Sequence, residues 1–423
     1  MVASLNSSGR TGDVIGVLDI GTAKTVCLIV SPQRARGEDT LDGVRVLGVG
    51  LQPSKGLKAG VVVELTDAEE AVRAAVEQAE RAAGLVLEGV FLSVACGRLK
   101  SSTFTADTSI EGRVVGSADI DRLMGAARTY AEREGRTLLH MNCLSYRLDS
   151  TAGIAEPRGL AGQKLGADLH AVTADDAPVC NMLHVIERAY LKADGLVPAP
   201  YASSLAAMTA EERRLGGVCV DIGAGATGLS MFAEGHLLWN EVIPVGGNHI
   251  TFDIARALPT SLAEAERIKK EYGTLARVAS DDQGTIAYMA AGGEQPALHQ
   301  VSQAKIRDIV GGRMTGILGH VAERIGRLRF PRHVMERVVL TGGASQLHGL
   351  SEFAAEFMGR PVRVARLIPA GGLPASYSSP AFSAAVGLVH AALDPGAGVR
   401  PEGSGLESAG YLGRMSQWLR ESF

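Results

Sequence analysis

Two short stretches of this chain carry matching chemistry. "VIGVLDIGTAKTVCLIV" at 14–30 and "GGVCVDIGAGATGLSMF" at 216–232 each read as an apolar, β-rich run, then Asp-Ile-Gly with small or hydroxyl residues, then a second β-rich run. That is a strand, a tight glycine turn and a strand, given twice. Asp19 and Asp221 occupy matching places, as do Gly21 and Gly223, and Thr25 and Thr227. Glycine at the turn lets backbone N–H groups reach phosphate oxygens, because no side chain blocks the approach. Two such hairpins facing each other could clamp a polyphosphate from both sides, with an Asp on each holding Mg²⁺ through water. The stretch from Gly16 to Thr25 is not a phosphate loop of the GxxxxGK[ST] type: Lys24 falls too late, and a strand pattern follows where that loop needs a helix.

Two further elements could complete a site. "RVVLTGGASQLHGL" at 337–350 is a buried-strand pattern followed by Gly342, Gly343 and Ser345 ahead of a helix start, a turn on which a flat ligand can lie. In "PTSLAEAERIKKEYG" at 259–273, Ser261 and Glu264 make a capping box, Leu262, Ala265 and Ile268 mark the buried face, and Gly273 ends the helix. Glu266 and Lys269 share another face, where a solvated ion pair would be unremarkable.

The elements that must position these residues fall into two halves, the pattern of a duplicated domain with a cleft between the copies. Composition permits this: 423 residues, 46% hydrophobic and 21% charged, make a globular chain long enough for two or more domains. A net charge of -4, with basic residues spread along the chain, argues against nucleic acid as a partner; "RIGRLRFPRH" at 324–333 is a local exception. The five cysteines are odd in number and form no CxxC pair, so they read as buried thiols in a reducing cytosol. Neither a signal peptide nor a membrane span is expected: the N-terminus lacks an apolar core and no run of about twenty apolar residues occurs.

Taken in order, the two Asp-Ile-Gly hairpins, the TGGAS turn and the AExxKK helix resemble the superfamily of actin, heat-shock-chaperone and sugar-kinase ATPases. Three stretches narrow the resemblance to the FtsA family of bacterial cell-division proteins. Residues 139–174, with His140, Tyr146, Asp149, Pro157 and His170, are similar to that family's inserted 1C subdomain; "VIPVGGNHITFDIARALPTSLAEAERIKKEYG" is similar to its second-domain signature; "SQWLRESF" resembles its membrane-targeting helix. The resemblance implies an α/β fold of actin-like, duplicated ribonuclease-H-type domains around a nucleotide cleft, with an inserted 1C subdomain and a C-terminal amphipathic helix. It implies a disordered N-terminus at 1–13, subdomain 1A at 14–85 and 168–214, 1C at 86–167, 2A at 215–256 and 330–393, 2B at 257–329, a flexible linker at 394–410 and the targeting helix at 411–423.

Carried over residue by residue, the resemblance implies ATP with Mg²⁺ as ligand. Asp19, Gly21, Thr22, Lys24 and Thr25 would form the first phosphate loop, and Asp221, Gly223, Gly225 and Thr227 the second. Gly246 and Gly247 would approach the phosphates, Glu266 and Lys269 meet ribose and base, and Gly342, Gly343 and Ser345 cradle the adenosine. The second loop departs from the family in reading Gly-Ala-Gly-Ala, so Ala226 removes a hydroxyl; Asn142 stands where the insert commonly has Pro. Asp19 and Asp221 are the catalytic and metal-linked candidates, yet Ala199, in "GLVPAPYASSLAAM", fills the position where relatives in the superfamily carry an acid. Slow or negligible turnover is therefore expected, with ATP as a conformational and assembly ligand. A sugar kinase would need a catalytic carboxylate and sugar site not visible here; a pilus assembly scaffold of the same fold would lack the terminal helix.

That helix has its own logic. "DPGAGVRPEGSGLESAG" at 394–410 is a Gly-, Pro- and Ser-rich linker, reaching about 20 to 25 Å. Beyond it Leu412, Met415, Leu419 and Phe423, with Trp418 beside them, follow helical spacing, and Arg414 and Arg420 can meet anionic headgroups. Four or five apolar side chains at roughly 1.5 to 3 kcal/mol each must offset the ordering of a helix too short for water, so one tail holds weakly and a filament of many holds firmly. A long helix from about 303 to 329 repeats apolar positions from Ile306 to Leu328. The family's 2B subdomain receives the C-terminal peptide of the ring protein FtsZ, which makes Lys305, Arg307 and Arg313 candidate contacts. The remaining implied partners are further copies of the chain in filaments, later division proteins at 1C, and the cytoplasmic face of the cell membrane at the septum, as a peripheral protein.

Overall fold

The computed structural model describes residues 14–32, 43–132, 135–276, 284–291, 297–367 and 371–394. The expected targeting helix, with Leu412, Met415, Trp418, Leu419 and Phe423, lies outside the described residues, as does the linker beyond Asp394.

The first half comprises β1 (Ile15–Ile20), β2 (Lys24–Pro32), β3 (Val44–Pro53), a ribbon of β4 (Leu57–Lys58) and β5 (Val61–Val62), α1 (Leu65–Ala83) and β6 (Gly89–Val94). An insert follows: β7 (Lys100–Ser109), α2 (Ser117–Ala131), β8 (Arg136–Leu148), β9 (Thr151–Ile154) and β10 (Lys164–Asp175). The half closes with α3 (Asp176–Arg188), β11 (Lys192–Pro198), α4 (Ala199–Ala207) and α5 (Ala210–Leu215). The second half runs β12 (Gly217–Ile222), β13 (Thr227–Ala233), β14 (His236–Ile243), α6 (Gly247–Ala257), α7 (Leu262–Tyr272), β15 (Thr285–Ala290), β16 (Ala297–Ser302) and α8 (Gln303–Arg327). It ends with β17 (Val338–Thr341), α9 (Leu350–Met358), β18 (Val362–Val364) and α10 (Ser383–Leu393).

The two large sheets have one topology. Their five-stranded orders are β3-β2-β1-β6-β11 and β14-β13-β12-β17-β18. In each, the first three strands are antiparallel and the last two join in parallel. Near-continuous burial of Val17, Leu18, Ile20 and Val26–Val30 follows from helices packed on the sheet, since strands covered on both faces need apolar residues at successive positions. The halves also exchange a helix. α4, which follows the first sheet, packs on β12, β13, β14 and β17 of the second, while α10 packs on β1, β2 and β6 of the first.

This corrects three expected boundaries. Residues 89–94, expected in the insert, pair with β1 and β11 in the first sheet. Residues 168–175, expected in the first half, continue β10 within the insert's sheet, β7-β10-β8-β9. Residues 383–393, expected with the second half, join the first half's core through Ala385, Val386, Leu388 and Val389. In each case long-range pairing or packing decides the membership of a locally ambiguous apolar segment. The insert builds its own small core from Ile110, Val115, Leu123, Leu148, Leu165 and Leu169. Ser101 ties it to the second half: its hydroxyl donates to the carbonyl oxygen of Asn240 (3.0 Å) and accepts from that residue's N–H (2.7 Å).

Candidate functional site

The turns joining β1 to β2 and β12 to β13 are built alike. Gly21 N–H donates to the Lys24 carbonyl at 3.0 Å and Gly223 N–H to the Ala226 carbonyl at 3.0 Å. Ile20 pairs with Thr25, and Ile222 with Thr227. Both threonines are fully buried, and their hydroxyls are engaged by the scaffold: Thr25 Oγ1 lies 2.8 Å from Ser54 Oγ, and Thr227 Oγ1 donates to the Val245 carbonyl at 2.7 Å. They brace the turns. The turns meet, because a Cβ placed on Gly225 would lie 2.5 Å from Thr22 Oγ1, and that oxygen also accepts from Gly60 N–H at 3.2 Å.

Charge gathers behind this contact. Asp19 is buried and its Oδ1 accepts from Ser93 Oγ at 2.5 Å. Asp221 Oδ2 accepts from Ser203 Oγ. Burial pushes the Asp19 carboxyl above the usual range, against the pull of Ser93 and Lys24. Burial likewise lifts Asp221 to about 6, opposed by the Ser203 hydrogen bond, reinforced by the Asp19 charge and opposed by Lys24. Lys24 is lowered to about 8 by burial, although both carboxylates pull the other way. Its ammonium sits 3.6 Å from the centroid of the Phe382 ring, a cation–π contact. Two carboxylates thus attract one half-buried ammonium, and their combined charge exceeds its own.

A second cluster adjoins it. A Cβ on Gly246 would meet the Gly223 carbonyl oxygen at 2.6 Å and the Ala226 nitrogen at 2.8 Å. The Gly247 and Asn248 amides donate to the Gly223 and Ala224 carbonyls at 2.9 and 2.8 Å. The start of α6 therefore backs the second turn, and those two amides are already committed to it. Glu266 accepts from Thr251 (2.6 Å) and pairs with Lys269 (2.6 Å), while Lys269 Nζ also donates to Thr251 Oγ1 (2.9 Å) and the Gly247 carbonyl (3.3 Å). Burial would raise the Glu266 carboxyl, yet the Lys269 and Thr251 hydrogen bonds hold it below its ordinary value. The pair expected from spacing alone is real, and it is partly buried.

The turn after β17 closes the site from the other side. Gly342 has φ 86°, a conformation that favours glycine, and a Cβ there would lie 2.2 Å from Asp221 Oδ1. Ser345, 1% exposed, donates to the Gly342 carbonyl at 2.7 Å and holds the turn. A Cβ on Gly343 would meet only Ala381, at 3.9 Å. Ala344 reaches Gly247: its Cβ lies 3.3 Å from where a Gly247 Cβ would stand. The expected loop and turn residues are therefore brought together in one cluster where the two halves meet. A recess of about 1830 Å³ lies elsewhere, between α5 and α9, and touches this region only around Ser345 and Gln346.

Other expected features change. Arg313 is held by Asp253 through bonds of 2.6 and 3.0 Å, so its guanidinium is committed within the fold; Lys305 is exposed and Arg307 half-buried on the same helix. Ser261 caps α7 by accepting from Glu264 N–H at 3.2 Å, but the Glu264 carboxylate turns to Arg267 and to the Met289 amide, so the reciprocal half of the capping box is not made. Sequence reasoning missed Ser93, Ser203, Thr251 and Phe382. Only Ser93 had a usable signal, as the small polar residue in an otherwise apolar strand.

Comparison with known sequences and structures gives a consistent result. Residues 218–387 match the family described as "Cell division protein FtsA", and residues 96–173 match the "SHS2 domain inserted in FTSA". The cell division protein FtsA of Agrobacterium fabrum is 37% identical, covering 98% of this chain and 96% of that protein. FtsA of Rhizobium meliloti is 38% identical, with the same coverage of both chains. Among solved structures, the PilM–PilN type IV pilus biogenesis complex has a chain superposing with TM-score 0.63 at 18% identity, covering 92% of this chain and 100% of that one, which shows a shared fold.

Proposed function

The chain belongs to the FtsA family of cell division proteins, with an actin-like fold and an SHS2-type insert, and from that premise we propose that it binds ATP with Mg²⁺ between its two hairpin turns. The observation that carries this reading is the pair of matched turns, with the buried Asp19 and the half-buried Asp221 behind them and both attracting the Lys24 ammonium. The residues fit such a ligand: oxygen donors suit Mg²⁺, and the excess negative charge favours a cation. Gly343 is crowded only by the Ala381 methyl, 3.9 Å from where its Cβ would stand. Bound Mg²⁺ would neutralise phosphate charge. The chain's own residues would supply turn amides for the polyphosphate, Glu266 and Lys269 at the ribose and base, and Gly342 to Ser345 as the floor under the adenosine.

Turnover is slow in this reading, because Ala199 at the start of α4 brings no carboxylate toward the cleft. ATP then works as an assembly ligand: the chain polymerises on the inner face of the cytoplasmic membrane, is anchored there by residues 411–423, tethers FtsZ through 2B and recruits later division proteins through the insert. No helix among the described residues is long and apolar enough to cross a membrane, which is compatible with peripheral attachment. Lys305, Arg307 and Arg313 remain the proposed FtsZ contacts, with Arg313 also paired to Asp253 of α6.

Flotation with anionic liposomes tests the anchoring. The full chain with ATP should float, and a chain ending at Gly410 should stay in solution while binding ATP as before. Equal flotation of both would remove residues 411–423 as the anchor.

A further inference from the structure

Asp19 and Asp221 are matched in sequence and in sheet position, yet their hydroxyl partners come from different places. Leu92 pairs with Leu18, so Ser93 stands beside Asp19 on the neighbouring parallel strand and donates to it within one sheet. The corresponding neighbour of Asp221 is Thr341. Its hydroxyl is committed to Ser383 and the Pro380 carbonyl. Asp221 is served instead by Ser203, which lies on α4 and follows the first sheet in the chain.

Ser203 is 0% exposed. Its position is fixed by a helix crossing: a Cβ on Gly387 of α10 would fall 1.6 Å from the Ala202 carbonyl oxygen, so the two helix backbones touch with no side chain between them. The other oxygen of Asp221 is confined by Gly342. With one oxygen against the turn and the other held by a hydroxyl on a rigid helix, the carboxylate has a single setting, and that setting is defined by a residue that precedes the second sheet in the chain but packs on it through α4.

We propose that Ser203 is a positioning residue for Asp221, fixing the carboxylate's rotamer toward the nucleotide's cation from a helix that packs on β12 and is itself held by its crossing with α10. This rests on the cleft reading given above. Charge-assisted hydrogen bonds of this kind restrain a buried carboxylate more strongly than neutral ones, and a displaced oxygen at a cation site costs affinity only when the cation is present.

The test is displacement of a fluorescent ATP analogue from the full chain, measured with Mg²⁺ and with EDTA. Ser203→Ala should cut the gain in affinity conferred by Mg²⁺ by about tenfold and leave the EDTA affinity unchanged. Ser203→Cys, similar in volume but a weak donor, should lose most of the same gain, which separates the hydrogen bond from packing. In an Asp221→Asn background, Ser203→Ala should have no further effect on the gain. An undiminished Mg²⁺ gain in both single variants overturns the proposal, as does an equal loss in both buffers, which would mark a merely structural role. Absence of nucleotide binding by the unsubstituted chain would overturn the cleft reading, and this inference with it.

Discussion

Thr22 and Gly225 meet where the two turns touch, with no space for a side chain on the glycine. A Cβ at Gly225 would stand 2.5 Å from Thr22 Oγ1 and 3.0 Å from the Ala59 α-carbon. The threonine can rotate, but the Ala59 backbone cannot yield without moving the ribbon of β4 and β5. Gly225→Val should therefore separate the turns and weaken Mg-ATP binding by about tenfold or more, since a misplaced phosphate contact loses a charge-assisted hydrogen bond. Thr22→Ser combined with Gly225→Ala should bind better than Gly225→Val. Filter binding with labelled ATP measures both.

Asp221 makes stability depend on pH in a defined direction. Its pKa in the fold is about 6, well above the ordinary aspartate range, chiefly through burial. The native state therefore holds the proton more tightly than the unfolded chain, and stability from this group is full below the unfolded pKa and is lost as pH rises through the folded one. Asp221→Asn removes that loss. Without nucleotide, the variant should be more stable than the parent at pH 7.5 by roughly 1 to 3 kcal/mol, with the difference shrinking as pH falls from 6 toward 4. Urea melts at several pH values read this out; a difference that grows toward acid would contradict the assignment.

The crossing of α4 and α10 should be intolerant of any added atom. Gly387→Ala would bring a Cβ to 1.6 Å from the Ala202 carbonyl oxygen and 2.4 Å from its carbon, both backbone atoms. Overpacking of this kind costs about 1–3 kcal/mol or more, and thermal unfolding should show it as a lower Tm. The contrasting substitution is Gly316→Ala on α8, where a Cβ would meet nothing within 4 Å. It should leave Tm unchanged or raise it, because alanine is the better helix former.

The local half of this architecture is legible in the sequence. The Asp-Ile-Gly turns declare themselves because a strand, a glycine and a strand leave a two-fold signature, and Glu266 with Lys269 because helical spacing puts them on one face. The distant half is not. Nothing around "GVFLSV" says that residues 89–94 join β1 and not the insert, since a short apolar run fits either sheet. α10 reads as a hydrophobic helix of either half, and its place depends on a glycine that only the crossing with Ala202 explains. Arg313 looked like a surface cation until α6 brought Asp253 to it. Ser203 was one hydroxyl in a small-residue helix, and its role depends on a carboxylate that chain order assigns to the other half.

The most direct measurement is a calorimetric titration of Mg-ATP into the intact chain and into the Asp19→Asn/Asp221→Asn variant. Both substitutions keep side-chain shape and leave oxygen acceptors for Ser93 and Ser203, so the fold should persist. If the two carboxylates hold the cation-linked end of the nucleotide, the intact chain binds one ATP and the variant loses about a hundredfold in affinity, from two charge-assisted contacts. Equal affinity in the two proteins would contradict the assignment of the nucleotide to the cleft between the Asp-Ile-Gly turns.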